Sequence, residues 1–129
     1  MKKDETMFTC PCCGYDVFSE PPGHYEICPI CNWEDDISQL KFVETLGANE
    51  VSLLQAQDNF KNFGASERHF ISHEKRGDNT YAKNPSWRMF DVEIDKIVDP
   101  QKDKDCGGDY PTDSTKLYYW TNSSKKAEQ

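Results

Sequence analysis

Cys10-Pro11-Cys12-Cys13-Gly14 and Cys28-Pro29-Ile30-Cys31-Asn32 decide the fold of this 129-residue chain. Between Cys13 and Cys28 lie fourteen residues. That gap is just short of the ~15–20 usual for a zinc site built from two C-x-x-C pairs. Two thiolates three positions apart in a tight turn reach one ion, and backbone N–H groups of the turn can bond the sulfurs. Two such turns, each at the tip of a hairpin, complete a tetrahedron. Proline inside each pair sets the turn, and Gly14 relieves crowding after the first. The predicted ligands are Cys10, Cys13, Cys28 and Cys31, around one zinc ion. Cys12 reads as a bystander inside the first turn, with a register that swaps it for Cys13 left open. Iron in a rubredoxin-like site is the alternative for four thiolates. A site with all four positions filled by protein is structural rather than catalytic.

Two other readings of the cysteines are weaker. Cys10-Pro11-Cys12-Cys13 also resembles a redox dithiol, but no βαβ pattern surrounds it and the second pair would have no purpose. A disulfide scaffold calls for export. Met1-Lys2-Lys3-Asp4-Glu5-Thr6 has no apolar stretch behind its charges, unlike a secretory signal. No apolar run approaches the ~18 residues of a membrane span. The expected location is therefore cytoplasmic, where thiols stay reduced.

Composition explains why a staple would help. The chain holds 23 Leu, Ile, Val and Phe residues, below the ~20% at which a highly charged chain tends to disorder. Sixteen aromatic residues, 12% of the chain, offer compensating apolar area. The formal charge is −8. Residues 10–40 carry six acidic side chains and no Lys or Arg, residues 61–88 sum to +3, and residues 91–113 to −5.

Short extended segments read at Met7–Thr9, Tyr15–Phe18 and Tyr25–Ile27, separated by Cys-Pro and Pro21-Pro22-Gly23 turns. Ser52 with Gln55 three residues on fits a capping box. Leu53, Ala56, Phe60 and Phe63 then share a helical face, and Gly64 is placed to end the helix. A second short helix is expected from Ser66, carrying Phe70 and Ile71. Residues 87–98 fit a strand or a helix, ended by Pro100, and Gln101–Thr115 is a loop. Leu117–Thr121 has the composition of a final strand. The expected fold is α+β: an N-terminal zinc ribbon of short β-hairpins over 7–40, packed on helices with one or two C-terminal strands in an α/β remainder over 50–122. Residues 1–122 form a single domain, and 123–129 a disordered tail.

CPCCGY at Cys10–Tyr15, PPGHYEICPICNWEDD at Pro21–Asp36 and GANEVSLLQAQDNFKNFGA at Gly47–Ala65 together resemble the bacterial cysteine-rich CPCC proteins. NPSW at Asn84–Trp87 is a fainter echo of their downstream part, and residues 99–129 carry no motif of theirs. The resemblance implies a small, cytosolic, zinc-binding protein with no assigned reaction. Some similar small bacterial proteins sit beside polymorphic or contact-dependent toxins and look like immunity proteins.

An enzyme needs an activated nucleophile or a paired base, and none is evident. Cys106 sits between Asp105 and Asp109, whose charge disfavours a thiolate. His69 and His73, four apart, could share a metal on a helix face, but read better as ordinary surface residues beside Phe70. His24 reads as a turn residue. The Asp99–Asp109 loop lacks calcium-loop spacing. Nucleic acid is disfavoured because a ribbon of six acids and no cation repels phosphate. The expectation is a non-enzymatic binding protein whose acidic surface meets a basic partner, such as a cognate toxin domain. Trp33, Glu34, Asp35 and Asp36 are the candidate contacts, with the Asp91–Asp113 stretch. Glu34, Asp35 and Asp36 could also bind a cation, but acidic residues before Ile37–Phe42 are equally explained as helix-start caps.

Overall fold

A computed structural model describes residues 7–70, 81–97 and 110–121. Strands β1 (Phe8–Thr9) and β2 (Asp16–Phe18) form a two-stranded antiparallel sheet. Phe8 faces Phe18 and Thr9 faces Asp16, so Val17 is an extra residue that bulges β2. A second hairpin follows, closed by a single antiparallel bridge between Ile27 and Glu34. Helix α1 (Ile37–Lys41) leaves that hairpin and α2 (Leu53–Phe63) packs beneath the cysteines. Short 3-10 turns span Arg68–Phe70 and Ser114–Leu117. The α+β architecture with its cysteine cluster is the one expected.

Both helices start on their predicted caps. Ser52 Oγ accepts from Gln55 N at 3.1 Å, and Gly64 ends α2 in the left-handed region at φ 82°. Only the Ser52 half of the capping box forms; the Gln55 amide is engaged further along the helix, its Nε2 donating to Asn59 Oδ1. The buried face of α2 is Leu53, Ala56 and Gln57, with Phe60 and Phe63 half-buried. Gln57 is inside because it joins three segments: its Nε2 donates to Pro11 O and Tyr119 Oη, and its Oε1 accepts from Phe90 N. Gln39 on α1 does the same for its neighbours, donating to Thr45 O and Val51 O and accepting from Asn49.

The downstream part departs from expectation. Residues 87–97 are neither strand nor helix among the described positions; they make a turn through Asp91–Asp95, with Ile94 N and Asp95 N donating to Asp91 O. Leu117–Thr121 is not a strand. Its alternation is broken because three consecutive aromatics, Tyr118, Tyr119 and Trp120, are all buried. Tyr118 stacks on Trp120 at 4.4 Å and donates its hydroxyl to Thr9 O, while Tyr119 donates to Arg88 O. A strand would have sent the middle ring outward. Of the short helix expected from Ser66, the described residues show a 3-10 turn at Arg68–Phe70. Ile71, Pro100 and the tail lie outside the described residues.

Asp36 is the N-cap of α1: its Oδ1 accepts from Ser38 N and Ser38 Oγ, and its Oδ2 from Ala48 N at 2.8 Å. Burial works against its charge, but these hydrogen bonds outweigh it and hold the carboxyl below its ordinary range. The group is therefore depressed on folding. Its contribution is complete above the unfolded carboxylate pKa and drains away as pH falls through the lower folded value. Asp36→Asn keeps a capping oxygen for Ser38 but replaces the oxygen that accepts from Ala48 N with an NH2 donor, and should cost about 1–3 kcal/mol near neutrality. It should also flatten the acid limb of stability below pH ~4, read by urea unfolding across pH 2.5–7. An acid limb as steep as the parent's would mean that Asp36 is not the group responsible.

Candidate metal centre

The two cysteine turns are copies of one another, eighteen positions apart. In the first, Cys10 N donates to Tyr15 O and Gly14 N to Cys10 O; in the second, Cys28 N donates to Trp33 O and Asn32 N to Cys28 O. Gly14 (φ 86°) and Asn32 (φ 70°) occupy the same left-handed position, which glycine adopts freely and asparagine tolerates. Ile30 N and Cys31 N both point at Cys28 Sγ, at 3.3 and 3.4 Å.

The turns bring Cys10, Cys13, Cys28 and Cys31 together, with their sulfurs within 4.8 Å of one another and all four residues fully buried. Cys10 Sγ lies 3.7 Å from Cys31 Sγ, and Cys13 Sγ lies 3.7 Å from Cys28 Sγ. A zinc–thiolate tetrahedron with bonds of ~2.3 Å has sulfur–sulfur edges of ~3.8 Å, so the cluster has the dimensions of such a site. The separations are far beyond the ~2.05 Å of a disulfide, and all five described cysteines are free.

Electrostatics agree with the geometry. Burial pushes the thiols of Cys10 and Cys31 well above their ordinary values. At Cys28 burial is outweighed by hydrogen bonds from Cys10, Cys13 and Cys31 sulfurs, and its pKa falls well below the usual one. A divalent cation would balance thiolate charge in this buried space, and binding it would release protons. The residues fit a metal ion that would pin the two hairpins to each other, with no position left open for a substrate.

Cys12 is not part of the cluster. It is buried against α2, where its Sγ donates to Ala56 O at 3.4 Å. That contact settles the register left open by the sequence in favour of Cys13 as the inward thiol. Trp87 is a neighbour that sequence reasoning noted only as part of an echo. Its ring lies against Gly14, and its Nε1 donates to Pro11 O at 3.1 Å. Residues 82–84 run alongside the first turn, with Asp16 N donating to Ala82 O and Asn84 N to Gly14 O. The signal for this packing was Gly14 followed far downstream by an isolated tryptophan, which spacing alone does not connect.

The candidate partner contacts are mostly inside. Trp33 is 1% exposed, Asp35 3% and Asp36 6%, which removes them as surface contacts. Trp33 fills the core beneath the second turn. Asp35 Oδ2 accepts from Gly23 N and His24 N at 2.9 Å each, clamping the Pro21-Pro22-Gly23 turn; burial raises its pKa despite these bonds. Glu34 is half-buried, its backbone paired with the Asn49 amide. Asp95 is buried in a two-pronged pair with Arg88, at 2.7 Å on each side. His69 bonds Glu67 at 2.8 Å, and His24 bonds Pro21 O as a turn residue. His73, Cys106 and the Asp99–Asp109 loop lie outside the described residues. Among the described residues no helix is long and apolar enough to cross a membrane.

A family model described as Cysteine-rich CPCC matches residues 8–80. No curated protein matches the chain, and no solved structure does.

Proposed function

The chain belongs to the cysteine-rich CPCC family, and from that premise we propose that it is a metal-stapled binding protein. In this reading zinc holds the fold, and the acidic ribbon engages a basic protein in the cytoplasm, a cognate toxin domain that it inhibits as an immunity protein. It acts by contact and not by catalysis. The observation that carries the reading is the closed cluster of four buried sulfurs at tetrahedral spacing. Such a site supplies rigidity and offers nothing to a substrate.

Charge supports the choice of partner. Residues 10–40 hold six acids and no Lys or Arg. Nucleases are commonly basic because they bind phosphate backbones, so an acidic inhibitor presents them with a matching field. With Trp33, Asp35 and Asp36 inside, the available face is the second hairpin. There Tyr25 and Ile27 are 56% and 58% exposed, Ile27 sits directly across from Glu34, and Glu20 lies nearby in sequence, exposed. An exposed tyrosine rimmed by charge is a sound interface anchor.

Native mass spectrometry of the protein from its own host, without added metal, tests both halves. The expected spectrum has one zinc per chain and a basic protein bound. Glu20→Lys/Glu34→Lys should weaken capture of that partner about tenfold, chiefly through the association rate. Iron in place of zinc would correct the metal. A partner held equally well by the charge-reversed protein would remove this face from the interface.

A further inference from the structure

We propose that the cleft where α1, the turn over residues 90–96 and the Ser114–Leu117 turn meet binds a small organic anion with an apolar body. The cleft encloses about 300 Å³, at the lower end of the ~300–1,000 Å³ of small-molecule sites. Its floor is apolar: Leu40 and Val43 are buried there, and Phe90 and Leu117 are half-buried. Ile94, 44% exposed, extends that surface to the mouth.

The rim is cationic in a chain of formal charge −8. Three of the five lysines among the described residues, Lys41, Lys96 and Lys116, line this one cleft. Lys41 Nζ is held over the rings of Tyr110 and Phe42, at 4.9 and 5.2 Å. The charge argument rests on Lys96 and Lys116, which are both exposed. The acid lining the cleft, Asp95, has both oxygens engaged by Arg88, so it does little to cancel the lysines. Ammonium groups recognise charge rather than the planar fork that arginine selects, so the anionic head can be a carboxylate. The apolar floor then takes an alkyl or aryl body. The metal centre plays no part, and the site stands whether or not the ribbon face meets a basic protein.

The test is titration of the metal-loaded full chain with octanoate, by calorimetry and by the NMR signals of Phe90 and Leu117. Saturable one-to-one binding is expected, with octan-1-ol at least tenfold weaker. Lys96→Glu/Lys116→Glu should weaken octanoate at least tenfold, and Lys96→Arg/Lys116→Arg should restore it. Non-saturable binding, equal binding of the alcohol, or indifference to charge reversal would each overturn the proposal. So would inorganic phosphate competing as well as octanoate, since the apolar floor would then contribute nothing. The alcohol comparison uses the parent protein, so it stands even if a variant misfolds.

Discussion

Cys28→Ser should abolish both metal binding and cooperative folding. Cys28 Sγ is the acceptor of two backbone N–H groups and a near neighbour of Cys13 Sγ at 3.7 Å, so its loss opens the cluster and orphans the turn. The magnitude decides the outcome. Apparent free energies of structural zinc sites run to ~10–16 kcal/mol, while an ordinary domain is stable by only ~5–15 kcal/mol. A chain with 23 Leu, Ile, Val and Phe in 129 residues has little core to set against such a loss. The serine variant should contain no stoichiometric metal by elemental analysis and show no sharp melting transition, and a strong chelator should bring the parent to the same state. Cys12→Ser is the control. Its sulfur donates to the carbonyl of Ala56 and lies outside the group of four, so metal content should stay at one per chain with a cost of about 1 kcal/mol. If Cys28→Ser melts like the parent, zinc is not structural; if Cys12→Ser also loses the metal, the register of the first turn is wrong.

What the sequence disclosed follows from the range of the interactions involved. The cysteine spacing, the Ser52 cap and the Gly64 stop are set by neighbours within a few residues, and each lies where expected. The copy of the first turn in the second was also written locally, in Gly14 and Asn32 at equivalent left-handed positions, although from sequence alone Gly14 signals only the relief of crowding. Gln39 and Gln57 were illegible because a buried amide is justified only by distant partners. Gln57 meets Pro11 46 residues away and Tyr119 62 residues away, and without those groups it would belong on the surface. Asp35 and Asp36 misled for the same reason. Carboxylates in an acidic run suggest an exposed face, yet here backbone N–H groups of two turns satisfy them inside. The aromatic run Tyr118–Trp120 has strand composition, but all three rings are buried, the middle one included, which a strand with one solvent-facing side does not allow.

Gly14→Ala should destabilise the folded, metal-loaded protein by about 2–5 kcal/mol, for two separable reasons. The first is conformational: φ of 86° costs a non-glycine residue ~1–2 kcal/mol. The second is steric, because an added Cβ would stand 2.6 Å from Cδ2 and Cε3 of Trp87, and displacing a packed ring costs ~1–3 kcal/mol. That ring is tied down by its bond to Pro11 O and by Lys83 Nζ, which lies over the rings of Trp87 and Tyr15 at 5.2 and 5.7 Å. Trp87→Ala alone removes a half-buried ring and should cost about 2–3 kcal/mol, below the ~3–5 of a fully buried aromatic. In the double variant the clash has no partner, so only the conformational part of the glycine change remains. The two effects should then fall short of their sum by the steric part, about 1–3 kcal/mol, a coupling well outside the additivity of independent sites. Denaturant unfolding of the four proteins at saturating metal measures it. Asn32→Ala supplies the internal comparison, since it removes a residue that tolerates the left-handed conformation at the equivalent position. Strict additivity between Gly14 and Trp87 would mean that residues 81–97 do not close over the first cysteine turn, and that the ribbon stands without the segment that follows its family match.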